Sequence, residues 1–261
     1  MSGFDYIPKP ADGAAWVTGA SAGIGRALAL RLAEQGWTVY ASARSADKLD
    51  ALAAENPRIR AMPGDVTDLE RMRAIVAEIT ATEPIALAVL NAGVYTPMRA
   101  QEFDAVTAKQ MFDINQTGVA NCLDPLLPHL IERRTGCVAL TASVAGYRGL
   151  PRAAPYSGTK AALIAMAESL AFDLAPIGVR ISVINPGFVE TEATAVNEFE
   201  MPFLMQTDEV AEKIVAGLGR GGFEIAFPTV FVMILKTLGF LRPRSYFWLV
   251  RKMIGWDEVG K

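Results

Sequence analysis

Tyr156 stands four residues before Lys160, and Ser143 lies thirteen residues upstream of the tyrosine. Four residues is about one helical turn, so the phenol and the ammonium project from one helical face. A free phenol titrates near pH ~10 and is a poor acid-base catalyst at neutral pH. A nearby ammonium favours the phenolate and draws that value toward working range. A hydroxyl such as Ser143 could then hold the oxygen that receives or gives up the proton. The same spacing also fits a surface helix with a solvated lysine, so the rest of the chain must supply something for the proton to serve.

The elements that would position this trio alternate. Residues 14–17, 38–43, 58–62, 86–90, 137–142 and 180–184 are short apolar runs that read as strands, and residues 223–228 could supply a last one. Residues 24–35, 69–81, 108–133 and 157–175 read as helices between them, the first with Leu28, Ala29 and Leu32 on one face. Strand-helix alternation implies an α/β fold, a single doubly wound parallel sheet of Rossmann type covered by helices on both faces. A chain of 261 residues fits one such domain, and 51% hydrophobic with 20% charged residues suits a packed globule. Residues 1–228 are assigned to that domain and residues 229–261 to an apolar and basic helical extension without a core of its own.

Composition narrows the function. A net charge of −3 argues against a nucleic-acid partner. Cys122 and Cys137 offer no disulfide framework and fit a reducing compartment, and the first twelve residues lack the features of a signal peptide, which points to the cytoplasm. His129 is the single histidine, so a Ser-His-Asp triad is not expected and neither is a metal site.

Thr18-Gly19-Ala20-Ser21-Ala22-Gly23-Ile24-Gly25 follows the first strand and opens the first helix. Glycines there permit a tight turn and close approach of a pyrophosphate, and the helix N-terminus adds amide donors and a favourable dipole. That context reads as dinucleotide binding. At the end of the second strand, where an NAD site usually places a carboxylate, stand Ala43 and Arg44. A carboxylate would repel a 2′-phosphate and an arginine fork can bind one, so NADP(H) is expected over NAD(H).

These residues resemble the short-chain dehydrogenase/reductase family over residues 12 to 220. The glycine loop matches the family pattern and implies cofactor contacts from Gly19, Ser21, Gly23, Ile24 and Gly25. Asp65-Val66 resembles the pair that contacts adenine, and Asn91-Ala92-Gly93 the segment that lines the cofactor cleft. Pro186-Gly187-Phe188-Val189-Glu190-Thr191 resembles the segment beside nicotinamide and pyrophosphate, implying contacts from Pro186, Gly187, Val189 and Thr191. Asn115 resembles the catalytic asparagine that completes a tetrad with Ser143, Tyr156 and Lys160. The resemblance implies hydride transfer between NADP(H) and a ketone or secondary alcohol. Tyr156 would be the acid or base, and Lys160 would tune it and bind the nicotinamide ribose. Ser143 would hold the substrate oxygen. Asn115 would fix a water leading from Lys160 to solvent, or settle a helix irregularity by a hydrogen bond, or do both. The alternative is a non-enzymatic NADP-binding scaffold that docks on a membrane or partner. Family members pair through the helices near Val119 and residues 157–175, which implies a homodimer or homotetramer.

Residues 192–206 are expected to cover the substrate, and Phe199, Met201, Pro202, Phe203, Leu204 and Met205 make that cover apolar. Tyr95, Ser143, Val144, Ala145, Gly146, Tyr147, Phe188 and Phe203 are the expected pocket walls, which suggests a bulky hydrophobic carbonyl or alcohol. Beyond residue 228 an apolar stretch, Arg242-Pro243-Arg244 and an aromatic-basic run follow, too short to span a bilayer. The layout resembles the tails of hydroxysteroid-dehydrogenase-like members. Peripheral docking on a membrane, a subunit contact and a lid on the same subunit all remain open for it.

Overall fold

Ala14-Ala15-Trp16-Val17-Thr18 carries no charge, and all five side chains are buried. A strand like that belongs inside a sheet covered on both faces. The structure is a computed structural model that describes residues 3–195 and 201–253. Among the described residues seven strands form one sheet: β1 (Ala14–Thr18), β2 (Val39–Ser42), β3 (Ile59–Ala61), β4 (Ile85–Leu90), β5 (Cys137–Thr141), β6 (Arg180–Pro186) and β7 (Glu224–Phe227). Their spatial order is β3-β2-β1-β4-β5-β6-β7, and every pairing is parallel. The order reverses between β1 and β4, and ligands of such sheets bind at the carboxyl ends of those strands.

On one face lie α1 (Gly23–Glu34), α2 (Ala46–Glu55) and α7 (Thr207–Arg220), whose Leu28, Leu32, Leu49, Leu52 and Ile214 pack with Val17 and Val39. On the other lie α3 (Leu69–Thr80), α5 (Gly118–Arg133) and α6 (Ala154–Leu174), whose Met72, Ile75, Leu126 and Leu163 pack with Trp16 and Val138. Trp16 is fully buried, and its indole N–H donates to Ser42 Oγ at 2.9 Å, so its burial leaves no donor stranded. His129 is likewise structural: its Nε2 accepts from the Ile85 amide at 3.1 Å.

The helix expected over residues 108–133 begins earlier and is not uniform. It runs as α4 (Ala105–Phe112), a π-helical turn over Asp113–Thr117, and then α5. Such turns widen a helix locally and recur at functional sites. Asn115 sits in this one and is fully buried.

The tail is two helices rather than one segment, α8 (Thr229–Gly239) and α9 (Pro243–Met253). Pro243 disfavours helical backbone at Arg242 and cannot continue α8, but it suits the first turn of α9. Phe231, Val232, Leu235 and Leu238 of α8 and Tyr246 and Val250 of α9 form a third apolar cluster with Val144. The inward face of the tail therefore packs on its own chain. No helix among the described residues is long and apolar enough to cross a membrane.

Candidate active site

β1 ends at Thr18, whose Oγ1 accepts from the amides of Asn91 at 2.9 Å and Ala92 at 3.1 Å. This side chain pins the segment after β4 against the glycine loop at the point where strand order reverses. Gly19 and Gly23 take left-handed backbone, with φ of 67° and 52°. A Cβ on Gly19 would stand 2.8 Å from Ala92 Cα, so even alanine would close the gap between the two loops. The N-cap of α1 is Ala22, which places no side chain over the first amides of the helix. A backbone cradle held open by missing side chains, at the start of a twelve-residue helix, fits a pyrophosphate.

A cavity of about 990 Å³ starts there and runs over the carboxyl ends of the strands. Gly19, Ser21, Gly23, Ile24, Arg44, Asp65, Val66, Asn91, Ala92 and Gly93 line one part of it, and Pro186, Gly187, Val189 and Thr191 line another. Arg44 is exposed, and nothing among the described residues pairs with its guanidinium. Ser45 beside it is the N-cap of α2 and makes no side-chain cap bond. An unpaired fork, a free hydroxyl and a helix N-terminus at one corner fit a phosphate group. Gly25 does not reach the cavity. A Cβ there would lie 2.3 Å from Gly19 O, so its missing side chain serves the packing of α1 on the loop.

Tyr156, Lys160 and Ser143 line the same cavity. α6 begins at Ala154, so Tyr156 sits in its first turn and Lys160 one turn on. Lys160 is buried, and its Nζ donates to Thr141 O at 2.7 Å. It stands 5.5 Å from the centre of the Tyr156 ring. Burial brings this ammonium down from the usual lysine range to about 8. Burial also dominates at Tyr156 and pushes its phenol up to about 12, with the Ser143 hydroxyl pulling it back and Tyr95 adding to the rise. This departs from the expectation that Lys160 lowers the phenol. The Lys160 ammonium is turned to the Thr141 carbonyl, and loss of water around the ring is the largest influence on the phenol. At neutral pH the phenol is therefore protonated, ready to give a proton. The Tyr95 ring meets Tyr156 edge-on at 4.9 Å. Ser143 Oγ accepts from the Ala145 amide at 3.1 Å, which fixes the hydroxyl at the start of its loop.

Asn115 does not line the cavity. Its Oδ1 accepts from Val94 N at 2.7 Å, and its Nδ2 donates to Val94 O at 2.9 Å and to Thr159 Oγ1 at 3.2 Å. The side chain is spent holding the loop that carries Gly93 and Tyr95 against α6. These bonds give Asn115 a positioning role at the irregular turn.

Tyr95, Ser143, Val144, Ala145 and Phe188 line the cavity, but three predicted walls, Gly146, Tyr147 and Phe203, do not. Gly146 packs on α6 instead, where a Cβ would stand 2.9 Å from Ile164 Cδ1. Tyr147 turns away and donates from its hydroxyl to Glu224 Oε1 at 2.5 Å, with Lys236 Nζ 5.2 Å from its ring centre. Burial and that carboxylate hold its phenol far above the usual range. Phe203 is partly exposed and packs at 5.8 Å on Phe231, while its neighbour Pro202 faces the cavity. Glu192, Ala193 and Thr194 of the expected cover reach it too. Phe199 lies outside the described residues. Sequence reasoning missed Leu150, Phe231, Leu235, Leu238, Val250 and Met253, which close the apolar end. The signal was there in the helical spacing of 231, 235 and 238 and of 246, 250 and 253.

A short chain dehydrogenase family model matches residues 13–201. An uncharacterized oxidoreductase of Myxococcus xanthus is 42% identical over 222 residues, covering 82% of this chain and 87% of that one. A 3-oxoacyl-(acyl-carrier-protein) reductase of Staphylococcus aureus is 34% identical over 191 residues, covering 69% of this chain and 76% of the other. A short chain dehydrogenase of Burkholderia cenocepacia, solved in complex with NADP, superposes with a TM-score of 0.80 at 26% identity, covering 95% of this chain and 99% of that one.

Proposed function

The chain belongs to the short-chain dehydrogenase family, oxidoreductases that act on CH–OH and keto groups with NAD(P), and on that premise we propose that it reduces a bulky apolar ketone with NADPH or oxidises the matching alcohol. The observation that carries this reading is the placement of Tyr156, Lys160 and Ser143 on one cavity with the glycine cradle. The nicotinamide, when bound, supplies or accepts the hydride. Gly19, Ser21, Gly23 and Ile24 would hold the pyrophosphate, Asp65 and Val66 the adenine, and Asn91, Ala92 and Gly93 the floor of the cleft. Pro186, Gly187, Val189 and Thr191 would flank the nicotinamide. Arg44 and Ser45 would hold a 2′-phosphate, which favours NADP(H).

Tyr156 gives its phenolic proton to the carbonyl oxygen as that oxygen gains charge. The Ser143 hydroxyl donates to the same oxygen and steadies the developing charge. Lys160, beside the phenolate so formed, stabilises it by its charge until a proton returns. Asn115 keeps Gly93 and Tyr95 in place against α6. Family membership stands against the non-enzymatic scaffold. The test is NADPH consumption with a panel of ketones, repeated with NADH. Reduction of apolar ketones with a preference for NADPH is expected, and a protein that turns over none of them removes the reading.

A second proposal concerns the outer face of the tail. Residues 225–253 hold Lys236, Arg242, Arg244, Arg251 and Lys252 and no carboxylate, in a chain whose net charge is −3. Val230, Met233, Phe240 and Trp248 are exposed there, Phe240 at 91%. Cationic and aromatic side chains together suit an anionic bilayer surface. The enzyme would then be cytoplasmic and peripherally bound. Co-sedimentation with phosphatidylserine vesicles but not with phosphatidylcholine vesicles is expected, and a protein that stays in the supernatant with both rules it out. α6 carries apolar residues on several sides and exposes Phe172 at 82%, which supports a homodimer or homotetramer paired through α5 and α6.

A further inference from the structure

The apolar end of the cavity is built by a segment far from the catalytic residues in the chain. α8 contributes Phe231, Leu235 and Leu238 to it, and α9 contributes Val250 and Met253. None of the five is polar or charged. A carboxylate or phosphate seated against these five side chains would lose its water and gain no partner from them, which costs several kcal/mol. Arg152, a cation that also lines the cavity, acts on Tyr95 and is not among the five. Met253 is also exposed, so the cavity reaches solvent beside the end of α9.

This wall is fastened to the loop that begins at Ser143. The Arg148 guanidinium donates from Nη1 to the carbonyls of Leu238 at 2.9 Å, Gly239 at 3.2 Å and Leu241 at 2.9 Å. The first two belong to the last turn of α8, where the helix dipole favours a cation, and Leu241 lies in the link to α9. The same guanidinium lies 3.8 Å from the centre of the Tyr246 ring, and the Tyr246 hydroxyl donates to Gly149 O at 2.7 Å. On the other side Glu224 of β7 receives Tyr147, Asn185 and Lys236. The wall is thus fixed at α8 and α9 by residues only a few positions beyond Ser143.

Resting on the reductase reading above, we propose that α8 and α9 are the specificity element of this enzyme, and that its substrate is an uncharged ketone or secondary alcohol whose apolar chain lies against Leu235, Leu238 and Val250. Arg148 and Tyr246 are positioning residues that keep this wall in register with the Ser143 hydroxyl. Selection follows from burial. Each methylene that moves from water onto the wall contributes until the wall is covered, and an anionic group at the chain end removes the gain.

The experiment uses the full chain, NADPH and unbranched methyl ketones from 2-butanone to 2-undecanone, with a keto acid of matched length. The value of kcat/KM is expected to climb about fourfold per added methylene before levelling. The keto acid should fall about 100-fold or more below the ketone of its length. Leu238→Trp, which fills the wall, should cut the ratio of kcat/KM between 2-undecanone and 2-butanone by about 10-fold or more. Val250→Phe on the other helix repeats the test if the first variant does not fold. A ratio that is flat in the native enzyme, or unmoved in both variants, overturns the proposal. Thermal stabilisation by the same ketones in the presence of NADP needs no turnover. It should grow with chain length in the native protein and flatten in Leu238→Trp. If no ketone is reduced, the reductase reading falls, and the stabilisation series alone then decides the wall: a rise with length supports it and a flat series overturns it.

Discussion

Replacing Lys160 with methionine should make the nucleotide-free protein more stable at neutral pH, and the gain should shrink as pH rises. Burial brings the Lys160 ammonium from 10.5 in the unfolded chain to about 8 in the folded one. Between those two values the unfolded chain keeps a proton that the folded chain has released. Stability therefore rises with pH there, by up to about 1.4 kcal/mol per pH unit and about 3 kcal/mol in all. Below pH ~8 both states are protonated and the whole cost is expressed. Lys160→Met removes that cost and gives up the bond from Nζ to Thr141 O, worth about 1 kcal/mol. The variant should be about 2 kcal/mol more stable at pH 7 and lose its advantage toward pH 10. Cys137, pushed up to about 11 by burial, and Tyr6, pushed up to about 12, oppose this trend. Both are present in both proteins, so the difference between the two is the quantity to follow. Urea unfolding of both proteins at pH 7, 8, 9 and 10 measures it. A difference that stays constant across this range would refute the burial argument and leave Lys160 a well-solvated cation.

Three further outcomes can be checked. Tyr156→Phe should lower kcat by about 10³-fold or more, the upper range for a general acid, and leave the NADPH Kd from fluorescence titration within about twofold. Arg44→Asp should weaken NADPH by about 10- to 100-fold and shift the kcat/KM ratio toward NADH, as expected for a lost charged hydrogen bond to a phosphate. An unchanged ratio would show that Arg44 stands clear of the nucleotide. Asn115→Ala strands the amide and carbonyl of Val94, so denaturant unfolding should show a loss of about 2–4 kcal/mol along with reduced turnover. Turnover lost at full stability would instead place Asn115 at the reacting atoms.

The sheet was legible because its strands are continuous apolar runs, and runs such as residues 86–90 have few other places to go. The glycine loop and the pairing of Tyr156 with Lys160 were legible because each depends on spacing within one element. α2 was not anticipated: it buries only Leu49 and Leu52, three positions apart, and so shows a weak stripe. α7 has a clear apolar face through Val210, Ile214 and Leu218, but it follows the expected substrate cover so closely that its start was hidden in it. The failures at the site came from direction and distance. Tyr147 lies four residues beyond Ser143, yet its hydroxyl faces Glu224 on a strand nearly eighty residues later. Spacing shows that an ammonium is near Tyr156 but not that it is turned toward Thr141 O.

Arg148 belongs to the loop of the catalytic serine and spends its guanidinium on the tail. A ligand on the outer side of α9 and a substrate on its inner side therefore draw on one set of bonds. If both favour the same arrangement of those bonds, the two ligands would be coupled in both directions: whatever factor the first adds to the affinity of the second, the second returns to the first. A surface that steadies α9 would act as an effector for a ketone it never touches. A tightly held ketone would in turn recruit the enzyme to that surface, so that location and occupancy report on each other.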